Sequence, residues 1–121
     1  MPVLARNKKA FHDYFIEDKL EAGIELVGTE VKSVKAGKVS IKESFIRIIR
    51  DEVFVMNMHI TPYEFGNINN VAESRVRKLL LNRREIKKWS EKIKEQGYTI
   101  VPISVYTKQR LVKMEIGLAK G

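Results

Sequence analysis

Apolar and polar positions change their spacing within residues 21–37, and this change predicts two consecutive elements. Residues 24–27 form a short apolar run, which predicts a strand. Val31 and Val34 then recur three residues apart, a spacing that places both on one side of a short helix. The predicted helix is capped at Thr29 and ended at Gly37. The stretch therefore predicts a strand that leads into a short helix.

Alternating side chains in residues 44–60 predict a β-hairpin, with strands from about Ser44 to Arg50 and from Val53 to Ile60. Successive side chains of a strand point to opposite faces. The face that we assign to the core carries Phe54, Met56, Met58 and Ile60. The opposite face, which meets solvent or a ligand, carries Val53, Val55, Asn57 and His59. Pro62 ends the second strand because proline cannot donate into a ladder.

One longer amphipathic helix is predicted to begin after Asn82, where Glu85 supplies the reciprocal partner of a capping box. Its apolar face is formed by Ile86, Trp89 and Ile93, and it ends at Gly97. Trp89 has two possible roles, stacking on a base or anchoring the helix on the sheet. The second role is favoured because Trp89 shares its face with the two isoleucines.

The remaining segments are a second hairpin, a loop and an N-terminal arm. The hairpin is predicted from Thr99 to Tyr106 and from Leu111 to Leu118, with Pro102 indicating an edge, a bulge or a barrel seam. Its inward side chains are Val112, Met114, Ile116 and Leu118. Residues 62–74 are predicted to be a loop, residues 12–16 a strand, and residues 1–11 a basic arm. The arm is either a solvated tail or a phosphate contact.

This order of elements favours a mainly β domain over residues 1–121, an antiparallel six-stranded barrel of the oligonucleotide/oligosaccharide-binding (OB) type with short flanking helices. A ferredoxin-like α+β sandwich is the alternative. That fold needs two comparable helices, and the pattern supports only one. We therefore expect a single OB-type domain.

Composition narrows the class of partner. The chain has 121 residues, no cysteine and a formal net charge of +8, which favours a polyanion such as nucleic acid. No signal-peptide or membrane-spanning run is visible, so we expect a cytoplasmic protein. His12 and His59 stand alone, so we expect no metal site. The sequence shows neither a Gly-rich phosphate loop nor a nucleophile elbow, so we expect no cofactor and no catalytic centre.

The acidic run that includes Asp18, Glu21 and Glu25 is unusual in a basic chain. Near a polyanion, a carboxylate is repelled unless it accepts hydrogen bonds from a base edge. A metal-dependent nuclease cluster is a weaker interpretation, because the spacing of these residues on a strand does not bring them together well. The cations able to neutralise phosphates are Lys8, Lys9, Arg75, Arg77, Lys78, Arg83 and Arg84.

Several blocks of the sequence resemble, in order, those of the SsrA-binding protein (SmpB) family. They are residues 7–10, 14–16, 21–24, 28–33, 60–63, 75–82, 97–102 and 116–121, and they cover almost the whole chain. The resemblance implies an OB barrel without enzymatic activity. It also implies binding to the tRNA-like domain of transfer-messenger RNA (tmRNA, SsrA RNA) and its delivery to stalled ribosomes for trans-translation.

Carried over by motif, the RNA-binding positions are expected in three groups. They are Asn7 and Tyr14 near the arm, Glu21, Ala22 and Gly23 in the acidic turn, and Lys78, Leu80 and Asn82 in the basic block. Their charge adds Lys8, Arg75, Arg77 and Arg83 as expected phosphate contacts. Tyr14 offers a stacking face, and Glu21 accepts from a guanine or cytosine edge. Leu80 and Ala22 supply apolar contact. Alternatively, Leu80 belongs to the core and Asn82 is only a helix cap.

The resemblance also implies partners and a further segment. The expected partners are tmRNA and the ribosome, with alanyl-tRNA synthetase and elongation factor Tu acting through the RNA, and we expect a monomer. Members of the family continue with a basic tail beyond the block that here ends at Gly121. A chain without that tail is expected to bind the RNA but not to promote tag addition. The alternative function is that of a general structured-RNA or rRNA-binding barrel.

Overall fold

The computed structural model describes residues 2–63 and 71–121, and in these residues the chain forms nine strands and three helices. The strands are β1 (Val3–Arg6), β2 (Phe15–Ile24), β3 (Val39–Ser40), β4 (Phe45–Ile49), β5 (Glu52–Met56), β6 (His59–Ile60), β7 (Arg77–Leu80), β8 (Thr99–Lys108) and β9 (Leu111–Lys120). The helices are α1 (Ala10–Asp13), α2 (Gly28–Lys35) and α3 (Arg83–Gln96). The loop was predicted at residues 62–74, and its residues 64–70 lie outside the described residues.

Seven strands form one antiparallel sheet in the order β1-β8-β9-β2-β7-β5-β4, and β3 pairs with β6 beside it. The sheet curls, because β4 lies beside β8 although they are not neighbours in the sheet order. The mainly β class with short helices is therefore confirmed. The main sheet has seven strands and not the predicted six: residues 3–6, interpreted as an arm, pair with β8, and Arg77–Leu80, interpreted only as a basic block, form β7. Leu4 and Ala5 pack against the core, which explains why this segment joins the sheet.

The core faces of β5 and β6 differ from the prediction. Val53 and Val55 are buried, whereas Phe54 and Met56 are only partly buried. Asn57 has a φ of 56°, so the chain leaves the extended conformation there and the alternation shifts by one residue. Met58 and Ile60 are then buried as predicted. The predicted polar face was therefore wrong for the first half of the strand.

The elements around the N-terminal half also begin and end at other residues than predicted. His12 lies in α1 and not in a strand, and β2 already ends at Ile24. The N-cap position of α2 is Val27 and not Thr29, and the N–H of Val27 donates to Glu30 Oε1 at 3.1 Å. A glutamate at the third helical position reaches back to the cap in this way.

The C-terminal half follows the prediction closely. Glu85 N donates to Asn82 Oδ1 at 2.9 Å at the start of α3, and Gly97 ends the helix with a φ of 69°. Trp89 is buried between helix and sheet, and its Nε1 donates to Asp18 Oδ2 at 3.3 Å. The β8–β9 pairing shifts between Pro102 and Ser104, which is the predicted bulge. No helix among the described residues is both long and apolar enough to cross a bilayer.

Candidate nucleic-acid interface

Four strands place side chains of distant parts of the chain side by side on the outer face of the sheet. Leu80 of β7 is paired with Gly23 of β2, Gly23 with Lys113 of β9, and Lys113 with Tyr106 of β8. Two residues further along, Glu21 is paired with Glu115. We call this surface the Glu21 face; its members are Glu21, Gly23, Leu80, Tyr106, Lys108, Lys113 and Glu115.

Glycine at position 23 lets the two neighbouring strands approach closely on this face. A Cβ built on Gly23 would lie 3.3 Å from the Leu80 Cβ, which is tighter than ordinary packing. Leu80 remains 49% exposed, so it is not a core residue as one interpretation of the sequence proposed. The Glu21 face therefore carries an exposed apolar side chain beside the carboxylate.

Glu21 is held by two donors on one of its oxygens. Oε2 accepts from the Tyr106 hydroxyl and from Lys108 Nζ, the latter at 3.4 Å. The hydrogen bond from Tyr106 is the main cause that holds the pKa of Glu21 below its usual value, and Lys108 and Lys113 act in the same direction against the effect of partial burial. Glu21 is thus ionised at neutral pH. Its Oε1 accepts no hydrogen bond from the described residues.

Next to Leu80, the start of α3 forms a basic edge. Asn82 uses Oδ1 for the helix cap, while its Nδ2 has no partner among the described residues. Arg83 is exposed, and Lys78 forms an ion pair with Glu52. A cavity of about 890 Å³ runs between β5, β7 and α3, and its charged lining has more cations (Arg50, Lys78, Arg83, Lys87 and Lys94) than carboxylates (Asp51, Glu52 and Glu91). This edge can meet phosphates.

Arg77 and Arg75 form ion pairs with the buried carboxylate of Glu30, so their charges are not free to bind phosphate. Arg77 is 0% exposed, and its Nε donates to Glu30 Oε2 at 2.7 Å. Arg75 Nε donates to the same oxygen at 3.1 Å, and its side chain is 29% exposed. The predicted phosphate contact of Arg77 is therefore corrected: the guanidinium is enclosed beneath β7. The cluster has one net positive charge, which reaches the surface through Arg75.

Burial alone would raise the pKa of Glu30, but the hydrogen bonds from Arg75, Val27 N and Arg77 outweigh it and lower the pKa. Ala22 is also enclosed, at 0% exposure, because it alternates with the outward-facing Glu21 and Gly23. Its predicted apolar contact with RNA is corrected, since the methyl group belongs to the core.

The N-terminal candidates lie apart from the Glu21 face. Tyr14 precedes β2, nine residues from Gly23, so the two are separated by roughly 30 Å along an extended strand. The Asn7 amide is occupied within the protein, because Nδ2 donates to the Pro102 carbonyl at 2.9 Å and Oδ1 accepts from Lys9 N. Lys8 is exposed, and Tyr14 is 36% exposed beside the exposed Phe15.

Four members of the Glu21 face were not predicted as site residues, namely Tyr106, Lys108, Lys113 and Glu115. The alternation of Lys113 and Glu115 in the last strand shows that they share a face. The missing information was the register, which brings that face next to Glu21 across β9.

An antiparallel, curled sheet with a basic edge, an exposed apolar side chain and one oriented carboxylate defines a nucleic-acid-binding protein of the OB class.

Comparison with known proteins gives the family. A model described as "SmpB protein" matches residues 4–121. The SsrA-binding protein of Fusobacterium nucleatum is 64% identical over 98% of this chain and 80% of its own length. The SsrA-binding protein of Caldanaerobacter subterraneus is 59% identical over 98% of this chain and 75% of its own length.

A solved chain from a structure described as "tmRNA-SmpB: a journey to the center of the bacterial ribosome" is 45% identical, with a TM-score of 0.78. The match covers all of this chain and 85% of the solved one. The chain belongs to the SmpB family, a family of RNA-binding proteins. This result confirms the resemblance found in the sequence.

Proposed function

We propose that this chain binds the tRNA-like domain of tmRNA and delivers it to stalled ribosomes for trans-translation. Its SmpB relatives are SsrA-binding proteins, and the solved relative is described together with tmRNA and the bacterial ribosome. The role is that of a binding partner in the cytoplasm. The RNA and the ribosome supply the chemistry of tagging, and the protein supplies none.

The observation that carries the proposal is the Glu21 face in a chain of this family. Glu21, Gly23 and Leu80 come from distant parts of the sequence and lie on one exposed surface. An ionised carboxylate in a protein of net charge +8 disfavours indiscriminate binding to phosphate and favours a base edge that donates hydrogen bonds. Arg83 and Lys8 supply attraction that does not depend on sequence.

A gel shift tests the binding step. The probe is a labelled transcript of the tRNA-like domain of tmRNA, and the competitors are an ordinary tRNA and an unrelated duplex RNA. We expect the complex to survive an excess of both competitors. Equal competition by all three RNAs would contradict the proposal and support a general RNA-binding barrel.

The delivery step is tested by sedimentation. Labelled tmRNA is mixed with ribosomes stalled at the end of a message without a stop codon. We expect the RNA to sediment with these ribosomes only when the protein is present. Ribosomes that carry an intact message with a filled A site are the control and should bind little RNA.

A further inference from the structure

The Tyr106 hydroxyl reaches across one strand to the Glu21 carboxylate. Tyr106 is only 7% exposed and lies on β8, Glu21 lies on β2, and β9 runs between them. Tyr106 is paired with Lys113 of β9, whereas Glu21 is paired with Glu115. The hydrogen bond therefore crosses β9 diagonally and fixes the Glu21 side chain of β2 relative to β8.

Both donors to Glu21 meet the same oxygen. A carboxylate oxygen has two lone pairs, and those of Oε2 are used by the Tyr106 hydroxyl and Lys108 Nζ. Oε1 accepts from none of the described residues. The carboxylate is thus fixed at one oxygen and open at the other.

A second glutamate on β2 shows the contrasting arrangement. Glu17 also meets a tyrosine and a lysine, but Tyr98 donates to its Oε1 at 2.9 Å and Lys92 to its Oε2 at 2.8 Å. Each oxygen of Glu17 therefore has a partner within the protein. The same three residue types close one carboxylate and leave the other open, four residues apart on the same strand.

We propose that Tyr106, assisted by Lys108, is a positioning residue that orients Glu21 for RNA recognition. The pair holds Oε2 and turns Oε1 toward an amino or imino group on the edge of an unpaired base. This inference rests on the proposed function, because it concerns the selectivity assigned to Glu21. A carboxylate that is already oriented loses less conformational freedom when the RNA binds.

The charges around Glu21 explain why its carboxylate needs the positioning contacts from Tyr106 and Lys108. Glu115 lies directly opposite Glu21 on β9, and like charges in such a pair repel. Lys108 and Lys113 offset the repulsion, and the hydrogen bond from Tyr106 supplies direction. Without the hydroxyl, the carboxylate is free to turn away from Glu115 toward either lysine.

The test is a double-mutant cycle on binding to the tRNA-like domain of tmRNA. Tyr106→Phe keeps the buried ring and removes the hydroxyl, and we expect about fivefold weaker binding, the size of one lost hydrogen bond. In a Glu21→Gln background, Tyr106→Phe should have no further effect. The matched control is Tyr98→Phe, which removes the equivalent bond to Glu17 and should leave binding unchanged.

A carbon-13 NMR titration of Glu21 gives a readout that ring packing alone would not move. Because the Tyr106 hydrogen bond is the main cause that lowers the pKa of Glu21, Tyr106→Phe should raise it toward the ordinary value. Unchanged binding in Tyr106→Phe, with Glu21→Gln still losing selectivity, overturns the inference and leaves the proposed function intact. Absence of selectivity in the wild-type protein overturns the proposed function itself.

If Tyr106→Phe does not fold, Lys108→Met replaces it, because the Lys108 side chain is 47% exposed and its removal leaves the core untouched. A loss of about twofold that disappears in the Glu21→Gln background supports positioning through Glu21. An equal loss in both backgrounds overturns it, because Lys108 would then act on the RNA directly.

Discussion

At the scale of single residues, two glutamates in adjoining elements have opposite environments. Glu30 is 4% exposed and forms ion pairs with two arginines, whereas Glu21 lies at the surface with one open oxygen. Both are ionised, since surrounding donors lower the pKa of each. One carboxylate holds the strand that carries Leu80 in place, and the other is available to a ligand.

Replacing Glu30 is expected to destabilise the whole protein. Glu30→Gln leaves Arg77 buried without a compensating charge, and breaking such a buried pair costs about 3 to 5 kcal/mol. Urea unfolding measures the change in the free energy of unfolding. Glu43→Gln is the matched control, because Glu43 is exposed and forms no ion pair with the described residues. A loss as small as that of the control would contradict the structural role of the cluster.

The same carboxylate predicts a dependence of stability on pH. The folded-state pKa of Glu30 is lowered from its unfolded value near 4.5, so its contribution is complete above that value and is lost as the pH falls through the folded pKa. We expect the free energy of unfolding to decrease as the pH is lowered below about 4.5. In Glu30→Gln this part of the pH dependence should be missing. Identical slopes for both proteins between pH 4.5 and 2 would exclude Glu30 as the group responsible.

At the scale of elements, the sequence predicts best where local chemistry decides. The cap at Asn82, the stop at Gly97 and the buried Trp89 are properties of α3 itself, and all three are confirmed. The prediction of the buried face of β5 was wrong because one non-glycine residue, Asn57, adopts a positive φ that the alternation pattern does not reveal. The strand at residues 3–6 was missed because its partner, β8, lies about a hundred residues away.

The two roles of Asn82 can be separated by substitution. Asn82→Ala removes the cap and should lower the free energy of unfolding by about 1 kcal/mol, whereas Asn82→Ser keeps an acceptor for Glu85 N and should restore most of it. RNA binding should stay weakened in Asn82→Ser, because a hydroxyl does not reproduce the donor at Nδ2. Thermal unfolding and gel shift on the same samples check both statements. Full recovery of binding in Asn82→Ser would show that Asn82 acts only as a helix cap and that its Nδ2 does not contact the RNA.

At the scale of the whole molecule, composition predicted the kind of partner but not the contact surface. The charge of +8 points to a polyanion, yet burial removes Arg77 from the surface and pairing with Glu30 engages Arg75. Family blocks indicated Glu21, Gly23 and Leu80, and the sheet register brings these three together. The register also adds Tyr106 and Lys108, which no local pattern connects with Glu21. Whether these residues contact RNA remains a prediction.

The division of the surface into cations that attract and a carboxylate that selects predicts two different responses to salt. Arg83 is exposed and unpaired among the described residues, so Arg83→Gln should weaken binding to tmRNA and to ordinary tRNA alike and reduce the slope of log K against log salt by about 1. Glu21→Gln should leave that slope unchanged and reduce only the preference for tmRNA.

Filter binding at several salt concentrations measures both quantities, and Lys42→Gln, on the connection between β3 and β4, is the matched control. An unchanged slope in Arg83→Gln would place Arg83 outside the interface. If Glu21→Gln instead strengthened binding to both RNAs equally, the carboxylate would act only as a repelling charge, because a base contact must weaken the preferred RNA more than the other.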